Sequence, residues 1–151
     1  MKHLTLLLLS ILLFITCKPD ANQKEGQNDQ SKITELIFKS DWILTELYGE
    51  PIPEFVTSES IPTIQFNESE NRIYGRGGCN QYNGAFELNA ETGEMDLTQI
   101  AATKMACPDM SIEDRYFTML DEVDRIEHSS ENLKFFNSSD ETNALFEVME
   151  S

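Results

Sequence analysis

Two short segments hold the residues whose types and spacing could do chemistry. Gly75-Arg76-Gly77-Gly78-Cys79-Asn80-Gln81-Tyr82-Asn83-Gly84 sets one cysteine in a glycine-rich run, and Thr103-Lys104-Met105-Ala106-Cys107-Pro108 sets another just before a proline. Such a pair could ligate a metal, act as a redox couple or form a disulfide. Zinc takes four clustered ligands, whereas the chain has only His3 and His128 as histidines and spreads its cysteines widely. A thioredoxin-like couple would sit two residues apart at a helix N-terminus; Cys107 does precede a helix, which leaves weak thiol activity open. The disulfide is favoured. Closing a 28-residue loop would contribute about 3–4 kcal/mol in the chain-entropy treatment.

The glycines of the first segment could cradle a phosphate only if they joined a strand to a helix N-terminus, usually with a lysine and a Ser or Thr. Here they lie between strands. They read instead as a bulged crossover whose backbone must approach Cys107 and the start of the following helix. Asn80 and Asn83 suit turn positions whose side chains bond local backbone. Together with Tyr82, Thr103 and Lys104 they form the candidate binding surface. His128, expected to be exposed, has Glu127 and Ser129 beside it, but adjacent residues on a strand face opposite ways and make no triad. No catalytic residue, metal ligand or cofactor is assigned.

The elements that must position these segments are mostly strands. Trp42–Tyr48, Thr63–Phe66, Arg72–Gly75, Tyr82–Leu88, Met95–Ile100, Leu133–Phe136 and Ala144–Val148 carry strand patterns, with a short strand around Ile126. The alternation in Trp42–Tyr48 is only partial, and the pattern in Met95–Ile100 switches near Ile100. One convincing helix follows Pro108. Asp109 or Ser111 can cap it, Glu113 and Asp114 occupy its first turn, and Ile112, Tyr116, Phe117, Leu120 and Val123 form an apolar stripe. A weaker helix is expected at Ile33–Phe38. The expected fold is α+β: a curved antiparallel sheet of about seven strands packed around one main helix.

The third cysteine bears on location. Met1-Lys2-His3 followed by the apolar run Leu4–Phe14 has the layout of a secretory signal, too short for a permanent membrane span. Ile15-Thr16-Cys17 resembles the lipobox of bacterial lipoproteins, although leucine usually opens that box and glycine or alanine precedes its cysteine. Acylation of Cys17, palmitate included, would also remove the odd thiol from an exported chain. Residues 18–32 contain no large apolar side chain and read as a disordered tether reaching on the order of 20 Å. The expected organisation is a signal peptide at 1–16, a lipidated cysteine and tether at 17–37, and one folded domain at 38–151.

The chain has 11 basic and 27 acidic residues, a net −16. Loss of residues 1–16 removes Lys2 and no acid, leaving ten basic against 27 acidic groups, a net −17. Such a surface repels phosphate backbones, so nucleic acid is excluded as a partner. The expected partners are a membrane, through the lipid anchor, and an envelope protein; the domain itself is expected to be a monomer.

The order Trp42-x-Leu44, Gly75-x-Gly77-Gly78-Cys79-Asn80-x-Tyr82-x-Gly84, Ile100-Ala101-Ala102-Thr103-Lys104-Met105-Ala106-Cys107 and Glu113-x-x-Tyr116-Phe117-x-x-Leu120 resembles the META domain family, which includes the HslJ-like heat-shock lipoproteins of bacteria. The resemblance spans most of residues 40–149. It implies a small α+β fold, a tethered life in the periplasm or at the cell surface, a link to heat-shock response, and no known enzyme activity. A membrane-tethered, non-enzymatic envelope module is thus the expected role. The alternative is a small-ligand-binding protein or weakly thiol-active enzyme of the periplasm.

Overall fold

A computed structural model describes residues 35–54 and 56–149. The expected signal, the Cys17 anchor and the tether through residue 32 lie outside the described residues. The strands are β1 (Trp42–Leu47), β2 (Glu50–Pro51), β3 (Thr63–Asn67), β4 (Arg72–Arg76), β5 (Gln81–Leu88), β6 (Met95–Ala102), β7 (Arg125–His128), β8 (Asn132–Phe136) and β9 (Thr142–Val148). They form one antiparallel sheet in the order β6-β5-β4-β3-β1-β9-β8-β7, with β2 appended to β1. The main helix (Ser111–Glu122) lies between β6 and β7 in the chain.

The sheet curls until its two ends meet. Glu94, just before β6, bridges to Arg125. Met95 N–H donates to the Asp124 carbonyl at 2.9 Å, and Ile126 N–H donates to the Gly93 carbonyl at 2.8 Å. The α+β architecture expected from the sequence is therefore the one adopted, with nine strands among the described residues.

Alternation explains which side chains enter the core, and its lapses mark bulges. On β1, Trp42 and Leu44 face inward; the pairing with β9 shifts between Leu44 and Glu46, and Leu47 resumes the buried face. That shift is why the β1 pattern looked incomplete. Tyr48 and Gly49, both with positive φ, turn the chain from β1 into β2 in a two-residue loop. On β6, Gln99 takes a φ of 53°, and the pairing with β5 skips from Ala85↔Thr98 to Asn83↔Ala101. The change of pattern near Ile100 is this bulge.

Tyr116, Met119 and Leu120 of the main helix are buried within the same core cluster as Trp42, Ile64, Ile73, Leu133, Phe135 and Phe146. The helical stripe is rotated from the expected one: Ile112 is only half-buried, and Glu113 takes the inward position. Neither Asp109 nor Ser111 is the cap residue. Met110 holds that position without a side-chain bond, Ser111 is the first helical residue, and the Asp109 carboxylate accepts the Ser111 N–H at 2.9 Å.

Residues 35–39 are helical and belong to the folded unit. Ile37 is buried, its carbonyl accepts the Trp42 indole N–H at 3.2 Å, and the Phe38 ring stacks on Phe86 at 6.1 Å. The domain therefore begins ahead of the expected boundary at 38, because an apolar turn in the polar approach caps the core.

Two buried phenols give the core a pH limit. The Tyr82 and Tyr116 hydroxyls lie 2.8 Å apart, and both reach the Thr63 carbonyl, at 3.0 and 3.3 Å. Burial pushes both well above the ordinary tyrosine value of 10.0. The raised folded values mean that the phenols' contribution is complete below pH 10 and is lost as pH rises from there toward those values. Each buried tyrosine should cost about 1.4 kcal/mol of stability per pH unit in that window. Urea unfolding followed between pH 8 and 11.5 should show this decline, and Tyr82→Phe should make it shallower than in wild type.

Candidate functional site

The two motif segments meet at the start of the main helix, around Glu113. This side chain is only 5% exposed. Its Oε2 accepts the backbone N–H groups of Cys79 at 2.7 Å and Asn80 at 2.6 Å. Its Oε1 accepts the Asn80 side-chain N–H at 2.6 Å. Burial of a carboxylate is costly unless its acceptor sites are filled; here three N–H donors fill them, and the third helical position adds the favourable field of the helix N-terminus.

Asn80, 2% exposed, passes the connection on. Its Oδ1 accepts the Thr103 hydroxyl and the Met105 N–H, each at 2.7 Å, while Nδ2 also donates to the Met105 carbonyl at 3.2 Å. The expectation of a turn residue bonding nearby backbone is corrected: Asn80 reaches backbone 25 residues away. The Cys79–Cys107 disulfide joins the same two segments, with a Cα–Cα distance of 6.2 Å. One glycine run, one buried amide, one buried carboxylate and one disulfide thus hold three parts of the chain together.

The glycines permit this close approach. A Cβ on Gly77 would lie 2.7 Å from the Phe117 ring, and Gly78 has a φ of +145° with Glu113 beside it. The backbone passes directly against the helix start, as the motif suggested.

The residues expected to form a binding surface divide. Asn80 and Tyr82 are buried and serve the fold, because their polar atoms bond other parts of the chain. Asn83 is half-buried in β5 rather than in a turn, and its Oδ1 accepts from Arg72 Nη2. Thr103 and Lys104 are exposed. His128 is half-buried instead of exposed; its Nδ1 is shielded without a hydrogen-bond partner, and burial lowers its basicity. Among the described residues, no group of three or more His, Cys, Asp or Glu side chains is placed to hold a metal ion.

The sequence reading did not assign Glu113 its role, although a signal was present: Glu113, Tyr116 and Leu120 fall at i, i+3 and i+7, a carboxylate in line with a buried apolar stripe. It also missed a cleft of about 540 Å³ beside the disulfide, walled by Val56, Cys79, Cys107, Pro108 and Ile112. Val56 belongs to the connection between β2 and β3, where no periodicity marks a wall.

The hydrogen-bond polarity around Glu113 generates a specific expectation. In Glu113→Gln the amide oxygen can still accept both backbone N–H groups, but its NH₂ must face the Asn80 NH₂. Flipping Asn80 would sacrifice its bonds from Thr103 and Met105. The variant should lose about 2–3 kcal/mol, comparable with the about 2–5 kcal/mol expected for removing the disulfide in Cys79→Ser/Cys107→Ser. Urea denaturation of both variants checks the pair of values.

The fold has solved counterparts. An NMR structure of a protein from Burkholderia xenovorans aligns with a TM-score of 0.59 at 22% identity, covering 78% of this chain and 87% of that one. A crystal structure of a DUF4847 family protein from Bacteroides vulgatus aligns with a TM-score of 0.57 at 15% identity, covering 75% and 94%. No curated protein matches the chain. The META domain profile matches residues 34–150, which span every described strand, the main helix and both cysteine segments. The chain belongs to the META domain family.

Proposed function

We propose that this protein is a non-enzymatic module that helps maintain the bacterial cell envelope under stress, held at a membrane by a lipid on Cys17. The observation that carries the non-enzymatic part is the use of the motif's polar atoms. The buried Asn80 amide of the first signature segment and the buried Glu113 carboxylate of the helix that both segments meet bond backbone and one another. Groups so engaged set the shape of a surface; they are not poised to exchange protons with a substrate.

The location rests on sequence. A short apolar leader, a cysteine at its end and a polar stretch before the domain are the parts a tethered lipoprotein needs. The acidic domain is repelled by anionic headgroups, so the tether rather than the domain's charge supplies attachment. The cleft beside the disulfide favours the second reading, a ligand-binding module at the same location.

Membrane fractionation and complementation of a gene deletion test this reading together. Wild type should pellet with membranes and restore growth under heat and detergent stress. Cys17→Ala should be released and fail to complement, whereas His128→Ala should behave as wild type. Equal membrane attachment or full activity of Cys17→Ala contradicts the anchor. Loss of activity in a stably folded His128→Ala protein contradicts the non-enzymatic role.

A further inference from the structure

The cleft beside the disulfide differs from two other openings among the described residues. One opening, of about 480 Å³, is edged by Glu87, Glu94, Asp96 and Asp124. Another, of about 560 Å³, runs beside Glu35, Lys39, Asp41 and Glu68. The cleft of about 540 Å³ has instead a mainly apolar wall of Val56, Pro108, Ile112 and the disulfide, with Thr57 and Ser60 also lining it. That size and composition suit a small organic molecule. Its walls are also fixed in advance: the disulfide and the Glu113 bonds to Cys79 and Asn80 hold the backbone on one side, and the helix start forms the other. A preformed wall lowers the ordering cost of binding.

Charge selects the occupant. Among the described residues, Asp109 and Glu113 are the ionisable side chains on the wall, and no lysine, arginine or histidine joins them. Glu113 is committed to its three N–H donors. Asp109 lines the cleft and is exposed; its Oδ1 takes the Ser111 N–H at 2.9 Å, which leaves the carboxylate further acceptor capacity. The Ser111 N–H holds its carboxyl below the usual carboxylate range, so it is charged at neutral pH. The helix N-terminus opposes a cation with a partial charge of about +0.5. The Asp109 carboxylate already sits on that terminus, and the chain as a whole carries −16. The charge on Asp109 therefore favours a cation over an anion in the cleft.

We propose that this cleft binds a small amphipathic cation, its apolar body against Val56, Pro108, Ile112 and the disulfide and its ammonium group on Asp109. This site goes beyond the envelope role and does not rest on the Cys17 anchor.

The test uses the full-length protein in phosphatidylcholine nanodiscs, with empty nanodiscs as the blank. Two probes of matched shape are titrated and followed by ¹⁹F line broadening: 4-fluorophenethylamine, a cation, and 4-fluorophenylacetate, an anion. The cation should give saturable broadening above the blank, and the anion none. Asp109→Asn retains the Oδ1 acceptor for Ser111 and removes only the charge; it should weaken the cation about fivefold, a change of about 1 kcal/mol. Ile112→Ser, checked by circular dichroism to be folded, should weaken it as well by trimming the apolar wall. No saturable response above the blank, an equal response to both probes, or unchanged affinity in Asp109→Asn would each overturn the proposal. The outcome is independent of the fractionation result, since the cleft is lined by residues of the folded domain and Cys17 is not among them.

Discussion

Burying one carboxylate in the first turn of the main helix sets the terms for the rest of this domain. Glu113 cannot leave water unless donors replace its hydration, and the sequence supplies them from a loop 33 and 34 residues earlier. Two of those donors are backbone N–H groups, which requires the chain to pass against the helix; glycines at 77 and 78 make that passage sterically open. The third is the Asn80 side chain, which then fixes Thr103 and Met105 on the segment leading into the helix. The disulfide ties the same segments covalently. Polar and covalent links therefore act in parallel: the disulfide limits the unfolded chain, while the carboxylate and amide specify which packing the chain adopts.

The closed end of the sheet solves a related problem. A curled antiparallel sheet leaves two edges, and here the main helix and the contacts at Gly93–Met95 and Asp124–Ile126 bring those edges together. The helix connects β6 to β7 across that gap, and the closing contacts lie just beyond its C-terminal end, at Asp124–Ile126.

Much of the fold was legible because the strands alternate and turn residues punctuate them. Ile64 and Phe66, or Leu133 and Phe135, name their face directly. The breaks in β1 and β6 were also visible as lapses in pattern, though only the pairing reveals them as bulges at Thr45 and Gln99. The site was less legible. Asn80 looked like a turn former because its type favours local bonds, and nothing in a linear reading announces partners at 105 and 113. Glu113 was assigned to the helix dipole, which is correct for its turn but incomplete for its face. The rotation of the stripe turns Glu113 inward onto the Cys79 and Asn80 donors and leaves Ile112 half-buried, a tertiary arrangement that the apolar spacing alone does not announce. That half-turned Ile112, with Val56 across from it, leaves the apolar wall of the cleft; rigidity made for the fold thereby also shapes a surface.

The dependence of the structure on this carboxylate and amide acting as one unit can be measured by a double-mutant cycle. Urea unfolding of wild type, Glu113→Ala, Asn80→Ala and the double variant gives the coupling between the two side chains. Direct contact within a buried network predicts that the double variant is less destabilised than the sum of the singles, by about 1–3 kcal/mol. Additivity within about 0.5 kcal/mol would contradict the account, because Glu113 and Asn80 would then stabilise the domain independently.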